Sequence, residues 1–318
     1  MTHVSNTKSS HMILLSLIVY VVNYARCQEH ECEEPESCAY RDFGDNDFES
    51  LECSGLASCY GASGAFACDE GDGCEVQCTA AEACAYSYIQ AAGIKQAECD
   101  AFKACMSATM DFYGTQEFVL ECKGYQACAG ESTVDSGFAL LPVKQEDDYY
   151  IEGLSCEGVQ SCHLSYFYIE AARKVTCDGE AVCAESMFQI ISPAEGFEFE
   201  CQGDAACSGV KAGIYIERDD TDTKIKSITC DGNEACLESR LQIYNDNEET
   251  LVIDELRCEG WEACKYLLIQ VMTGDVKIKK CICDDPSPYS CLCATGLSIC
   301  EELEGEWNTA GTDTFTCG

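Results

Sequence analysis

The chain has 318 residues, of which 57 are Asp or Glu and only 19 are Lys or Arg, giving a formal charge of −38. Such an acidic surface excludes nucleic acid and anionic membranes as partners, because both require basic side chains against phosphate. With 47% hydrophobic residues the composition suits a folded chain rather than an acidic disordered one, and 29 cysteines make the redox setting the first question.

The N-terminus reads as a secretory signal over residues 1–27. Lys8 supplies positive charge, Ile13 to Val22 is a short apolar run, and Ala25-Arg26-Cys27 offers small residues for cleavage before Gln28. An apolar run this short cannot span a bilayer, and no later segment is better placed to do so, so no membrane span is expected after cleavage. Cleavage would remove Cys27, Lys8 and Arg26, leaving 28 cysteines and a formal charge of −40 from 17 basic and 57 acidic residues. An even cysteine count in an exported chain points to a disulfide framework, whereas in the cytosol it would suggest metal or redox chemistry. A secreted, extracellular location is the expectation.

After the signal a seven-residue box, C-x-G-x-x-A-C with variations, recurs along the chain. Its clearest copy is Cys230-Asp231-Gly232-Asn233-Glu234-Ala235-Cys236. Boxes begin at Cys32, Cys53, Cys78, Cys99, Cys122, Cys156, Cys177, Cys201, Cys230 and Cys258, with steps of 21 to 34 residues, the range of a solenoid or repeat array. Pairing within each box is expected: Cys32–Cys38, Cys53–Cys59, Cys78–Cys84, Cys99–Cys105, Cys122–Cys128, Cys156–Cys162, Cys177–Cys183, Cys201–Cys207, Cys230–Cys236 and Cys258–Cys264. A column of bonds between neighbouring coils is the alternative that spacing leaves open. Closing one seven-residue loop restricts the unfolded chain by about 2.4 kcal/mol. The third box position is glycine in seven copies, and alanine at Ala80 and Ala101 points to backbone crowding rather than a positive φ as the reason.

Around each box the pattern has period two. Two residues before the first cysteine stand Leu51, Val76, Ala97, Leu120, Leu154, Val175, Phe199, Ile228 and Leu256, and after the second come pairs such as Phe167 and Ile169 or Leu241 and Ile243. Alternation of this kind makes half-buried strands, so each repeat reads as a strand, a stapled corner and a second strand. No unit this short buries its own apolar face, and stacking solves that problem. The expected fold is all-β: a parallel β-solenoid of about ten coils over residues 28–280, with variable insertions at one corner.

The C-x5-C staple once per coil, flanked by small residues, is similar to the disulfide-stapled β-solenoids of beetle antifreeze proteins. The box also resembles cysteine-rich secreted repeat proteins of protists and algae. The resemblance covers about residues 28–272 and implies the staple and the solenoid. It does not imply ice binding, which needs an array of T-x-T pairs where this chain has only the isolated Thr221-Asp222-Thr223 and Thr312-Asp313-Thr314.

Two regions depart from the repeat. Cys68 and Cys74 fall between the second and third boxes and are expected to pair as an extra stapled loop. Residues 281–318 hold Cys281, Cys283, Cys291, Cys293, Cys300 and Cys317 in a new spacing and are expected to form a disulfide-rich cap over the open end.

Catalytic raw material is scarce. Past the signal the chain has His30 and His163 alone, too few for a histidine triad or a histidine-based metal site. No catalytic residue and no cofactor are expected, although Asp219, Asp220 and Asp222 offer oxygen ligands for weak Ca2+. Outward strand positions hold Tyr88, Tyr166 and Tyr168, with Gln90, Gln189, Gln242 and Gln270 each six residues after a cysteine. Stacked at coil spacing, they suit a flat face for an extracellular glycan or protein. The sequence therefore points to a structural or adhesive protein of an extracellular coat, wall or filament, with self-assembly as one form of partnership. A binding module using one strand face is the second reading, and a polysaccharide-degrading enzyme the third.

Overall fold

Alternating apolar residues on either side of each box produce two strands per repeat, and these stack in parallel into one β-solenoid. The computed structural model describes residues 32–47, 50–67, 74–131, 137–142, 150–217, 224–284, 294 and 297–305. The expected signal segment lies outside them. In chain order the described strands are β1 (Asp42–Asp47), β2 (Ser50–Cys53), β3 (Ser63–Ala67), β4 (Cys74–Cys78), β5 (Tyr88–Asp100), β6 (Thr109–Lys123), β7 (Gly137–Pro142), β8 (Ile151–Glu157), β9 (Tyr166–Glu170) and β10 (Ala172–Asp178). They continue as β11 (Met187–Ile191), β12 (Phe197–Gln202), β13 (Lys211–Ile216), β14 (Lys224–Asp231), β15 (Arg240–Asn245), β16 (Leu251–Glu259), β17 (Leu268–Thr273), β18 (Val276–Asp284) and β19 (Cys300–Gly305).

The strands form two columns. In the first, the strand entering each box ends on its first cysteine or one residue past it, and Cys53, Cys78, Cys99, Cys122, Cys156, Cys177, Cys201, Cys230 and Cys258, then Cys283 of β18, pair rung to rung without a slip. The second column holds the strands that leave each box. Phe138, Phe167 and Phe188 stack inside it with ring centroids 5.2 Å apart, and Ile169, Ile190, Ile214 and Ile243 follow the same line two residues on. Phe167 and Ile169 are fully buried, as are the sulfur-bearing residues at the corner. The core is thus a narrow apolar channel filled from both columns, with sulfur at one side.

All ten boxes described are closed by a disulfide within the box, so the spacing's alternative of bonds between coils is not what forms. Ten corners delimit about nine full turns. Cys68 lies outside the described residues, so the Cys68–Cys74 pairing is not described. The region expected as a cap begins inside β18: β18 and β19 carry the first column two rungs past β16, tied by Cys281–Cys300. Exposed Glu301, Glu302 and Glu304 on this last rung place charge on a sheet edge, which discourages further pairing.

The corner itself is built from left-handed residues. The fifth box position has φ between 50° and 57° in all ten copies, from Glu36 to Glu262, and none of these residues is glycine. A left-handed L-residue costs about 1–2 kcal/mol, so something must hold it there. In nine successive corners the N–H of this residue donates to a carbonyl of the next corner, as in Lys103 to Tyr125, Gln160 to Glu180 and Glu234 to Trp261, at 2.7–3.1 Å. At the third position both causes of glycine operate. Gly203 has φ +107° and a Cβ there would stand 2.6 Å from the Gly179 carbonyl oxygen, whereas Ala80 and Ala101 stay out of the left-handed region.

Candidate functional site

Behind several corners a small buried residue, such as Ala62, Ser87 or Ala108, precedes the second column. Ser165, Ser186 and Ser239 are buried there, and each hydroxyl donates to the carbonyl of the second cysteine of the preceding corner: Cys128, Cys162 and Cys207, at 2.5–2.6 Å. These bonds satisfy groups that would otherwise be costly to bury, and they set where the next residue emerges on the outer surface. Tyr166, Met187 and Arg240 emerge in this way.

From β9 to β17 the outward positions of the second column are Tyr166, Tyr168 and Glu170, then Met187, Gln189 and Ile191, then Lys211, Gly213 and Tyr215, then Arg240, Gln242 and Tyr244, then Leu268 and Gln270. Glu170 is the one carboxylate among them, in a chain of charge −38. With Lys211 and Arg240 as its cations, the face is an aromatic and amide strip on an acidic rod, uncharged along its central row of Tyr168, Gln189, Gly213, Gln242 and Gln270.

The side chains of the strip bond to one another along the axis. The Tyr166 hydroxyl donates to Gln189 Oε1 at 2.7 Å, and Gln242 Nε2 donates to Gln270 Oε1 at 3.3 Å. Tyr215 and Tyr244 stack at 4.4 Å between centroids with ring planes 6° apart. Tyr215 lies over Gly213, where a Cβ would come within 2.8 Å of the ring. Burial raises the phenol pKa of Tyr166, of Tyr168 with help from Glu170 and Glu217, and of Tyr215 with help from Tyr244. These hydroxyls accordingly stay protonated, able both to donate and to accept.

The residues singled out from the sequence divide. Tyr166, Tyr168 and Gln189 come together on the strip. Tyr88 shares the column of Tyr166 but sits three rungs away, past Thr109 and Gly137, at about 14 Å by strand spacing. It is 46% exposed, and its hydroxyl accepts a hydrogen bond from Gln90, which also bonds Asp111. Tyr215 and Tyr244 were not singled out, although their signal was present: both stand two residues beyond the glutamine position of the column. Asp219, Asp220 and Asp222 lie outside the described residues.

His163 sits half-buried on a corner, and desolvation lowers its pKa against the opposing pull of Glu185. Trp261, on the last stapled corner, is 46% exposed rather than packed under a further coil. Metal-ligand residues that meet among the described residues are cysteines such as Cys53, Cys78 and Cys84, already committed to disulfides and so not thiolate ligands. No family model, no curated protein and no solved structure matches this chain.

Proposed function

We propose that this is a secreted, non-catalytic structural or adhesive protein of an extracellular coat, wall or filament, acting through the shape and durability of its stapled rod. The observation that supports this reading is the unbroken run of ten buried disulfides, each closing one corner of a continuous core. Disulfides at this density persist in oxidising surroundings and are rare in the cytosol. The similarity of the box to secreted cysteine-rich repeats of protists and algae agrees with it. Immunogold labelling of the native protein is the test: label concentrated on an extracellular layer is expected, and label confined to the cytosol would overturn the reading.

A second reading, a carbohydrate-binding module, is favoured by the strip from Tyr166 to Gln270. An acidic rod repels acidic polymers, and its charged faces attract cationic ones, which leaves an uncharged, hydroxyl-rich chain as the natural occupant of this strip. Affinity electrophoresis in gels containing neutral polysaccharides would show retarded migration under this reading. Release of sugar by the pure protein would instead favour a degrading enzyme.

A further inference from the structure

The stapled corners carry a second aromatic row, separate from the strand face. Tyr40, Tyr60 and Tyr86 stand on the first three corners with ring centroids 5.6 Å and 5.2 Å apart. Tyr40 lies across Gly61, where a Cβ would meet its ring at 2.9 Å, so the absence of a side chain lets the ring settle beside Tyr60. Tyr40 is 77% exposed and Tyr86 40%, which makes both ends of the row accessible to a reagent in solution.

One end also has a proton acceptor. The Tyr86 hydroxyl donates to Glu131 Oε1 at 2.5 Å, and the Glu131 backbone N–H donates to Ser107 Oγ at 3.3 Å, so the residue following the fifth corner delivers a carboxylate to the third. Hydrogen bonding to Glu131, followed by burial, pushes the Tyr86 phenol up to about 12. While the ring is neutral, its proton stays on oxygen. A phenol that loses an electron becomes a strong acid, however, and a carboxylate already in contact receives the proton as the electron leaves.

We propose that the Tyr40–Tyr60–Tyr86 row is a site of oxidative phenolic cross-linking, at which a peroxidase-type oxidant consuming hydrogen peroxide joins rings of neighbouring corners. Two phenols each lose one electron and one proton, Glu131 taking the proton of Tyr86. An ortho carbon of one ring then bonds to an ortho carbon of the next. The two displaced ortho hydrogens return to the oxygens as the rings regain aromaticity, so the product is a dityrosine with both hydroxyls intact. The chain loses two hydrogens overall, and the two electrons and two protons reduce one peroxide to two waters. Rings already in contact couple far faster than rings that must meet by diffusion, and a charge of −38 keeps copies of the chain apart. The cross-link therefore forms within one chain and binds the first corners together beyond their disulfides.

The chemistry is independent of the extracellular role, since it is tested on purified, disulfide-intact full-length protein with a haem peroxidase and hydrogen peroxide. The expected product is a monomer lighter by two hydrogens, with dityrosine fluorescence and a cross-linked peptide joining Tyr60 to Tyr40 or Tyr86. Tyr60→Phe lowers the yield about tenfold by removing the middle ring. Tyr40→Phe, which leaves the Tyr60–Tyr86 contact in place, retains that link alone. Glu131→Gln slows the reaction and makes its rate rise with the concentration of buffer base, a rescue that the wild-type rate does not show. Unchanged yield in folded Tyr60→Phe, links scattered over Tyr88, Tyr113, Tyr125 and Tyr266, or dimers as the sole product would each overturn the proposal.

Discussion

The two outer faces of this solenoid rest on the same core and differ in almost every outward residue. On the first column Lys174 bonds Glu200, Lys226 bonds Glu198, Arg257 bridges Glu255 and Glu259, and Lys280 bonds Glu304. On the second column, between Tyr166 and Gln270, contacts along the axis are phenol to amide, ring to ring and amide to amide. Exposed ion pairs contribute little stability, and their service is solubility and like-charge repulsion. The strip, with Glu170, Lys211 and Arg240 as its charged members, carries no such network of ion pairs, which is why the second proposed reading places binding there. One backbone geometry thus supports two surfaces, and side-chain choice at outward positions divides their work.

The largest expected effect tests what the faces share. Replacing both cysteines of one staple, Cys177→Ser with Cys183→Ser, should lower the unfolding free energy by about 2–5 kcal/mol in denaturant titrations, because the closed loop is lost beneath both faces at once. A loss confined to one face, read by hydrogen exchange, would show that the columns are not one cooperative body.

Next comes the division itself. Tyr166→Ala with Tyr168→Ala should weaken binding of a neutral polysaccharide about tenfold while leaving the melting temperature nearly unchanged, since the rings lie outside the core. Arg257→Met on the other face should leave that binding as it was. If both variants weaken binding equally, the strip has no special part in it.

Smaller effects separate strain from charge. Ala205 stands at φ 54° with only a methyl group, so Ala205→Gly should raise stability by about 0.5 kcal/mol as relief of the left-handed strain outweighs the added freedom of the unfolded chain. Arg257→Met should cost about 0.5 kcal/mol at low salt and less at high salt, the mark of an exposed pair. The smallest effect belongs to His163, whose folded-state pKa lies below 6.5. The folded chain resists charging this ring, so its contribution is full above pH 6.5 and falls as pH drops through the ordinary value toward the lower folded one. His163→Gln should flatten that part of the stability curve.

Much of the molecule was legible in residue order because the controlling signals are local. A C-x5-C spacing determines a loop small enough to close on itself, and period-two alternation around it determines which side chains face inward. Phe167, Ile169, Leu241 and Ile243 were therefore assigned to the core correctly, and the outward placing of Tyr166, Tyr168 and Gln189 followed from the same count. Tyr88 was placed on the right column, but its distance from Tyr166 depends on how many rungs intervene, and that requires the register. Tyr215 and Tyr244 went unnoticed because their partnership exists only between coils 29 residues apart in sequence.

By itself the sequence determined a stapled, all-β repeat with sulfur and aliphatic residues inside and acid outside, because loop closure and strand alternation act over a few residues. Tertiary structure alone decided the rest: the left-handed backbone at the fifth position of every box, the aromatic and amide strip against an opposite face of ion pairs, and the tyrosine row with its distant Glu131. Each depends on stacking. A strained φ is held because its N–H donates to a carbonyl of the next corner, and a ring or carboxylate acquires its neighbour only when the coils lie one above another.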